Sequence, residues 1–306
     1  MNTQIKLFRK KLKNPLFLPS GIINEVADHK LAVDAGAGCV ILKSMTVEPR
    51  EGNPIPRVVK YEYGILNSVG LRNPGLEAGK KQIKEFLKKT KTPVIISVFA
   101  TNLKDFKKMV SAMSALKPFA IEINLSCPNV ESEFGEMIGN KAKQSYEVIK
   151  GVKKPAGKIP LIAKLTPNVD SISDIAKACE QAGADAISAI NTVAPSMIID
   201  IYKRRPILGM KKGGLSGPGI RPVAVAKIYE IYEAVKIPIL GMGGVEKWQD
   251  AVELMMAGAT LVGVGSAVYL RGYKIYQEIL SGLKIFLKEQ KITNIRKLIG
   301  LAHNGK

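Results

Sequence analysis

The stretch TPVIISVFATNLKDFKKMVSAMSALKPFAIEINLS, residues 92–126, contains two nearly continuous apolar runs separated by a segment with helical spacing. The runs are TPVIISVFA (92–100) and FAIEINLS (119–126), and the helical segment covers 103–115. Strands that are apolar throughout, rather than alternating, are typical of parallel strands buried on both faces. This stretch therefore predicts one β-α-β unit of a parallel sheet.

The same pattern recurs along the whole chain of 306 residues. The other apolar runs are 16–20, 39–44, 160–166, 184–191, 238–243 and 260–266. The other helical segments are 29–36, 75–89, 139–153, 171–182, 223–235, 246–257 and 267–289. Eight strand-then-helix units are the pattern of a TIM barrel. We therefore predict an α/β protein, one (β/α)8 barrel domain over residues 1–306 with inserted loops after strands 2, 4 and 6. A doubly wound open sheet is the alternative.

Polar residues at the ends of these runs favour the closed barrel. They are Ser20, Lys43, Ser44, Asn124, Lys164, Asn191 and Ser266. The carboxyl ends of barrel strands meet at one mouth, where barrel enzymes have their sites. Two long connections, 45–74 and 192–222, interrupt the alternation, and loops of this length in a compact domain are usually functional. Within the first, RVVKYEYGILNS (57–68) is able to form a hairpin.

Composition narrows the range of function classes. The 46 basic and 26 acidic residues give a formal charge of +20, which attracts RNA or anionic metabolites. The lysines are dispersed in pairs such as Lys80–Lys81, which is typical of a solvated surface, so nucleic acid is not the expected partner. No apolar stretch reaches the roughly 18 residues of a membrane span, and we expect a cytoplasmic protein. Cys39, Cys127 and Cys179 form no C-x-x-C pair, so we predict free thiols and no metal site.

Three features predict a reactive site that binds a phosphate. GMGGV (241–245) and GVGS (263–266) follow the last two strands, where backbone N–H groups and helix amino ends bind anions. Lys164 ends a strand and is able to stabilise negative charge that develops on a cofactor ring. Cys127 lies in NLSCPN (124–129) among polar neighbours, so it is either an acid/base group or nucleophile, or an inert packing residue.

Several motifs resemble those of class 1 dihydroorotate dehydrogenases, in order and over almost the whole chain. They are KSMTVEPREGNPIPR (43–57), LNSVGLRNPG (66–75), EINLSCPNV (122–130), AKLTPNV (163–169), GGLSGPGIRPVA (213–224), GMGGV (241–245) and VGSA (264–267). The family consists of FMN-containing TIM barrels that oxidise dihydroorotate to orotate in pyrimidine biosynthesis. The resemblance thus implies an FMN-dependent oxidoreductase acting on CH–CH groups.

The resemblance also implies roles for individual residues. Cys127 takes the C5 proton of dihydroorotate while hydride passes from C6 to FMN, and Lys43 lies between flavin and substrate. The implied substrate-binding residues are Lys43, Asn67, Val69, Gly70, Leu71, Asn124, Asn129, Asn191 and Thr192. The implied cofactor-binding residues are Ser20, Gly21, Lys43, Ser44, Asn124, Lys164, Ile190, Ser216, Gly217, Gly243, Gly244, Gly265 and Ser266.

The chain is more similar to the branch of the class whose catalytic subunit pairs with an iron–sulfur flavoprotein. The EFG after CPNV and the ending IGLAHNGK favour that branch. The resemblance therefore implies a homodimeric core with a possible electron-transfer subunit, and leaves the electron acceptor open. The alternatives are a tRNA-dihydrouridine synthase, a dihydropyrimidine dehydrogenase-type FMN reductase, and a non-enzymatic barrel that binds a phosphoribosyl ligand or RNA.

Overall fold

A computed structural model of the chain describes residues 2–126 and 138–304. Its centre is a closed barrel of eight parallel strands. Each strand pairs with the next in chain order, and the eighth pairs with the first. The predicted (β/α)8 barrel is confirmed, and the open-sheet alternative is wrong because Leu16 and Phe17 of the first strand pair with Val262 and Gly263 of the last.

Each barrel strand lies within one of the apolar runs. The strands are β1 Leu16–Leu18, β2 Cys39–Ile41, β3 Val94–Val98, β4 Ala120–Asn124, β5 Leu161–Lys164, β6 Ala186–Ala189, β7 Ile239–Met242 and β8 Leu261–Gly263. Every residue in these strands is buried. The continuous apolar character of the runs follows from this burial on both faces.

Helices follow the strands around the outside of the barrel. They are α1 His29–Asp34, α2 Gly75–Lys89, α3 Leu103–Ser114, α4 Ala142–Ala156, α5 Ile172–Gln181, α6 Arg221–Ala234, α7 Trp248–Met256, α8 Ser266–Arg271 and α9 Ile275–Glu289. The single helical segment predicted for 267–289 is wrong. Gly272, with φ +81°, ends α8 in the left-handed region, so α9 starts separately.

Side-chain caps and apolar stripes account for the helix positions. The Asn102 side chain accepts a hydrogen bond from the Asp105 backbone N–H at 2.7 Å, and Ser171 caps α5 in the same way through Asp174. On α2, Leu76, Ile83 and Phe86 are buried while the lysines between them are not. Helix α2 therefore packs an apolar stripe on the barrel.

The long connections after β2 and β6 form one antiparallel sheet above the barrel. Its strands are, in order, Val193–Ser196, Gly213–Ser216, Gly64–Asn67 and Val58–Tyr61. The predicted hairpin is confirmed, and the structure adds its pairing with Gly213–Ser216. The connection after β4, also predicted as an insertion, lies largely outside the described residues.

A short hairpin at the opposite end of the barrel was not predicted. Its strands are Ile5–Leu7 and Lys10–Leu12, and the Phe8 ring at its turn lies 5.5 Å from the ring of Phe119, which directly precedes β4. The hairpin therefore packs at the amino ends of the strands. In the described part of the chain, no helix is long and apolar enough to cross a membrane.

Candidate active site

A cavity of about 240 Å³ lies at the carboxyl ends of the barrel strands. It lies under the four-stranded antiparallel sheet above the barrel, which we call the outer sheet. A second, of about 80 Å³, lies beside it toward β7 and β8. The residues that line both are Ser20, Ile22, Lys164, Asn191, Thr192, Ser216 and Ser266. The two cavities therefore form one elongated site with Lys164 in the wall of both.

Residues predicted from distant parts of the sequence are brought together here. The first cavity is lined by Ser20, Gly21, Lys43, Ser44, Asn67, Val69, Gly70, Leu71, Asn124, Lys164, Asn191, Thr192, Ser216 and Ser266. The second adds Ile190, Gly217, Gly243, Gly244 and Gly265. Cys127 and Asn129, also predicted, lie outside the described residues. The strand ends thus meet at one mouth, as the closed barrel requires.

The first cavity carries a connected set of amides and hydroxyls. Asn191 Nδ2 donates to Ser126 Oγ at 2.7 Å, and Ser126 Oγ donates to Asn124 Oδ1 at 2.9 Å. Asn124 Nδ2 in turn donates to Ser44 Oγ at 3.2 Å, which lies 2.8 Å from Ser97 Oγ. Because each amide is held by its neighbours, its orientation toward the cavity is fixed before any ligand binds.

Two buried lysines place positive charge in the same walls. Lys43 lies two residues after the end of β2 and is 5 % exposed, and Lys164 ends β5 and is 4 % exposed. Lys164 Nζ donates to Ser20 Oγ at 2.7 Å and lies 4.0 Å from Glu122 Oε1. Two cations in the walls of one cavity favour an anionic or electron-rich ligand.

The second cavity has a wall of glycines near the amino ends of two helices. Gly243 and Gly244 have φ values of +135° and +75°, and a Cβ on Gly244 would lie 2.7 Å from Arg221 Cβ. Gly265 directly precedes α8, and the Gly243–Gly244 turn leads into α7. Glycine has no side chain to cover its backbone N–H group, and the dipoles of the helices that follow favour negative charge. This end suits a phosphate group.

The outer sheet brings substrate-side residues to the mouth by close backbone approach. Asn67 pairs in register with Gly214, and its Nδ2 donates to Gly214 O at 3.2 Å. A Cβ on Gly214 would lie 2.0 Å from Thr192 Oγ1, so only glycine allows Thr192 to reach this wall. Asn168 Nδ2 donates to Thr192 O at 3.1 Å and holds the other side of that residue.

The dihydroorotate dehydrogenase family model matches residues 2–287. The chain belongs to this family. It is therefore an oxidoreductase that oxidises dihydroorotate to orotate, and the expected function and enzyme class are confirmed. Membership also makes it an enzyme of a flavin-dependent family and sets aside the tRNA-modifying, pyrimidine-reductase and non-enzymatic alternatives.

Curated relatives cover almost the entire chain. A protein of Pyrococcus abyssi is 43% identical over 300 residues, covering 98% of both chains. Relatives from Pyrococcus horikoshii and Caldicellulosiruptor saccharolyticus are 44% and 41% identical, each over 98% of this chain and over 97% and 99% of their own. All three are named dihydroorotate dehydrogenase B (NAD(+)), catalytic subunit. The similarity to the partnered branch is confirmed.

The described thiols of this family member are poor candidates for acid/base chemistry. Burial raises the pKa of the Cys179 thiol to about 12, and burial also raises the pKa of Cys39, with the charge of Glu122 adding to that rise. Both side chains pack in the hydrophobic core. At neutral pH they remain protonated, so they act as packing residues.

Sequence reasoning missed several residues of the site. Asn24 and Tyr269 line the first cavity, and Lys60 Nζ lies 5.6 Å from the centre of the Tyr269 ring. Glu122 lies behind Lys164, and Ser188 Oγ donates to Glu122 Oε2 at 3.0 Å. Of these residues, Glu122 could have been identified from the sequence, because a carboxylate between Ile121 and Ile123 in a buried run needs hydrogen-bond partners.

Proposed function

We propose that the flavin of this enzyme is FMN and that it occupies the elongated site. Support comes from the glycine-rich end, whose backbone donors and helix amino ends suit one phosphate, and from the amide-rich end, where the substrate would bind. Lys164 lines both cavities and so lies where a ring between these ends would pass. This position of Lys164 is the single observation on which the FMN assignment chiefly depends.

The cofactor residues divide between the two ends. Gly243, Gly244, Gly265 and Ser266 would hold the phosphate, with Ser216 and Gly217 near the ribityl chain. The residues that would border the ring are Ser20, Gly21, Lys43, Ser44, Asn124, Lys164 and Ile190. When bound, FMN supplies the acceptor for the hydride that leaves C6 of dihydroorotate. Lys164 would stabilise the negative charge that reduction places on the ring.

The proposed substrate site uses amides because dihydroorotate has a rim of alternating C=O and N–H groups. Each asparagine both donates and accepts, so Asn67, Asn124 and Asn191, together with Asn129, match that rim. Thr192 adds a hydroxyl, and Val69, Gly70 and Leu71 form the adjoining wall. Lys43 places a cation beside the anionic substrate.

We propose that Cys127 is the base that removes the C5 proton. It directly follows Ser126, whose backbone N–H donates to Asn124 Oδ1 at 3.1 Å, so the residue before it is fixed to the substrate site. Proton abstraction requires the thiolate, which is the reactive form of cysteine. Lys43 would act with it from its expected position between flavin and substrate.

Flavin absorption tests both the proposed cofactor and the proposed substrate site. The purified protein should absorb as a flavoprotein, and the flavin released by denaturation should co-migrate with FMN rather than FAD in chromatography. Dihydroorotate should bleach the absorption under anaerobic conditions, whereas dihydrouridine should leave it unchanged. Release of FAD would overturn the cofactor assignment, and bleaching by dihydrouridine would overturn the substrate site.

The partner and acceptor are also proposals. We propose a homodimeric core that passes electrons to an iron–sulfur flavoprotein subunit and then to NAD. We also propose that the protein is cytoplasmic and forms one FMN-binding domain over residues 1–306. Support comes from the relatives' name, which specifies NAD(+) and a catalytic subunit. Affinity purification from the native source should yield a second, iron-containing flavoprotein, and NAD reduction should require it. NAD reduction by the purified chain alone would contradict this.

A further inference from the structure

Glu122 is a charged residue in the interior of the barrel. It lies in the middle of β4, is 0 % exposed, and accepts hydrogen bonds at both carboxylate oxygens. Ser20 Oγ donates to Oε1 at 2.8 Å, and Ser188 Oγ donates to Oε2 at 3.0 Å. Glu122 is absent from the described walls of the two cavities, so its effect on a ligand must pass through another residue.

The hydrogen bonds around Glu122 have a fixed direction. A carboxylate only accepts, so the single hydroxyl hydrogen of Ser20 points toward Glu122. The Ser20 oxygen is then free to accept from Lys164 Nζ, which lies 2.7 Å away. Because an ammonium only donates, this is the polarity that the contact needs. Ser20 therefore links Glu122 to Lys164 through two hydrogen bonds, so the position of Lys164 depends on that of Glu122.

We propose that Glu122 is a positioning residue that holds the Lys164 ammonium against the cavity and thereby sets the redox behaviour of the flavin bound there. The inference rests on the proposed function, since it requires a flavin beside Lys164. A buried charge that loses its counter-charge is strongly destabilised. Without Glu122, the Lys164 side chain is no longer held against the cavity and turns toward water, which removes positive charge from the cavity wall.

The sign of the change in potential separates this role from a simple charge effect. If Glu122 positions Lys164, its loss destabilises the reduced, negatively charged flavin and lowers the midpoint potential. If Glu122 acts only through space, the loss of its negative charge stabilises the reduced flavin and raises the potential. A residue that only supports the fold would leave the potential of the folded enzyme unchanged.

The experiment uses the FMN-loaded protein and three variants of this network. Glu122→Gln removes the charge and keeps the shape, whereas Glu122→Asp keeps the charge and shortens the reach to Ser20. Ser188→Ala removes one partner of Glu122 without touching either cavity. The midpoint potential of the bound flavin and the FMN dissociation constant are measured for each. The matched control is Asp185→Asn, which removes a carboxylate at the amino end of the barrel, where Asp185 contacts Lys153.

Both Glu122 variants should have a lower midpoint potential than the wild type, and Glu122→Gln should bind FMN about tenfold more weakly, the usual effect of losing one charged hydrogen-bond contact. Ser188→Ala should shift the potential the same way by a smaller amount, and Asp185→Asn should match the wild type. An unchanged or raised potential in Glu122→Gln overturns the proposal. If that variant does not fold, an unchanged potential in Ser188→Ala does so.

Lys164→Ala, measured in parallel, separates this inference from the proposed function. If Lys164→Ala has wild-type FMN affinity and potential, the proposed role of Lys164 fails and the inference about Glu122 fails with it. If Lys164→Ala lowers the potential and Glu122→Gln does not, only the inference about Glu122 is wrong.

Discussion

The carboxyl ends and the amino ends of the barrel strands differ in what they bury. At the mouth, Lys43, Asn124 and Lys164 are buried among hydroxyls and amides. At the amino ends, which we call the floor, Leu16 and Cys39 are buried among apolar side chains and are 0 % exposed. The same strands therefore carry a polar interior at one end and a hydrophobic core at the other.

This difference shows which residues stabilise the fold and which serve chemistry. Burying apolar surface contributes about 25 cal/mol per Å², so the floor stabilises the barrel. Burying amides and ions costs free energy unless each is paired, so the mouth is at best neutral for stability. Substitutions at the floor should thus change stability, and substitutions at the mouth should change flavin binding or turnover.

The largest effect is expected for Cys127→Ala at the mouth. The variant should retain FMN but reduce its flavin with dihydroorotate roughly 10²–10⁴ times more slowly at neutral pH, because only proton abstraction is lost. Anaerobic stopped-flow absorbance measures this step. The matched control is Cys179→Ala, which removes a core thiol and should leave the rate unchanged. A wild-type rate in Cys127→Ala would show that another group is the base.

At the floor, Leu16→Ala should lower stability and leave the rate of flavin reduction unchanged. Removing a fully buried leucine should lower the free energy of unfolding by about 2–5 kcal/mol, since a cavity replaces packed atoms. Denaturant unfolding measures the loss, and the rate of flavin reduction per folded molecule should not change. A rate loss larger than the loss of folded protein would contradict the division between mouth and floor.

A smaller effect is expected for Lys164→Ala. The loss of its cation should weaken FMN binding by about tenfold to a hundredfold, the range for hydrogen bonds to charged groups, and lower the flavin potential. Equilibrium dialysis measures the affinity. Lys153→Ala at the floor, which breaks the 2.8 Å contact with Asp185, is the control and should keep wild-type flavin properties. Equal FMN loss in both variants would show a general effect on folding.

Ionic strength should change the rate only a few-fold. The charge of +20 attracts an anionic substrate over distances that salt screens, so the apparent second-order rate constant for dihydroorotate should fall as salt rises. Steady-state kinetics at low substrate concentration measure this dependence, with turnover at saturating substrate as the control. A rate constant independent of salt would remove the steering role of the surface charge.

The smallest expected effect is the absence of a reaction at the core thiols. Burial raises the pKa of Cys179 from 9.0 to about 12 and raises that of Cys39, so iodoacetamide at about pH 8 should modify neither in the native protein. Peptide mapping by mass spectrometry tests this, with the unfolded chain as the positive control.

The same pKa shift predicts how stability depends on pH. The thiols of the unfolded chain ionise first as pH rises above 9, so the free energy of unfolding should fall between pH 9 and about 12.

Local sequence patterns predicted much of this molecule, and the failures share a cause. The eight strands and the hairpin over 57–68 follow from runs of residues whose burial depends on neighbours in sequence. The break at Gly272 and the hairpin at Phe8 were missed because short turns carry little periodic signal. Glu122 was missed although it stands within a quoted motif, because its partners Ser20 and Ser188 are 102 and 66 residues away.

The sequence alone determined the alternation of strands and helices, the closed barrel as the favoured architecture, and the family, because these depend on residue order and local periodicity. Only the tertiary structure decided that Asn67 meets Gly214 across 147 residues and that Lys164 lines both cavities. Barrel closure brings distant strand ends within hydrogen-bond distance, and the direction of each bond then depends on which groups can donate. Contacts of that kind have no counterpart in local spacing.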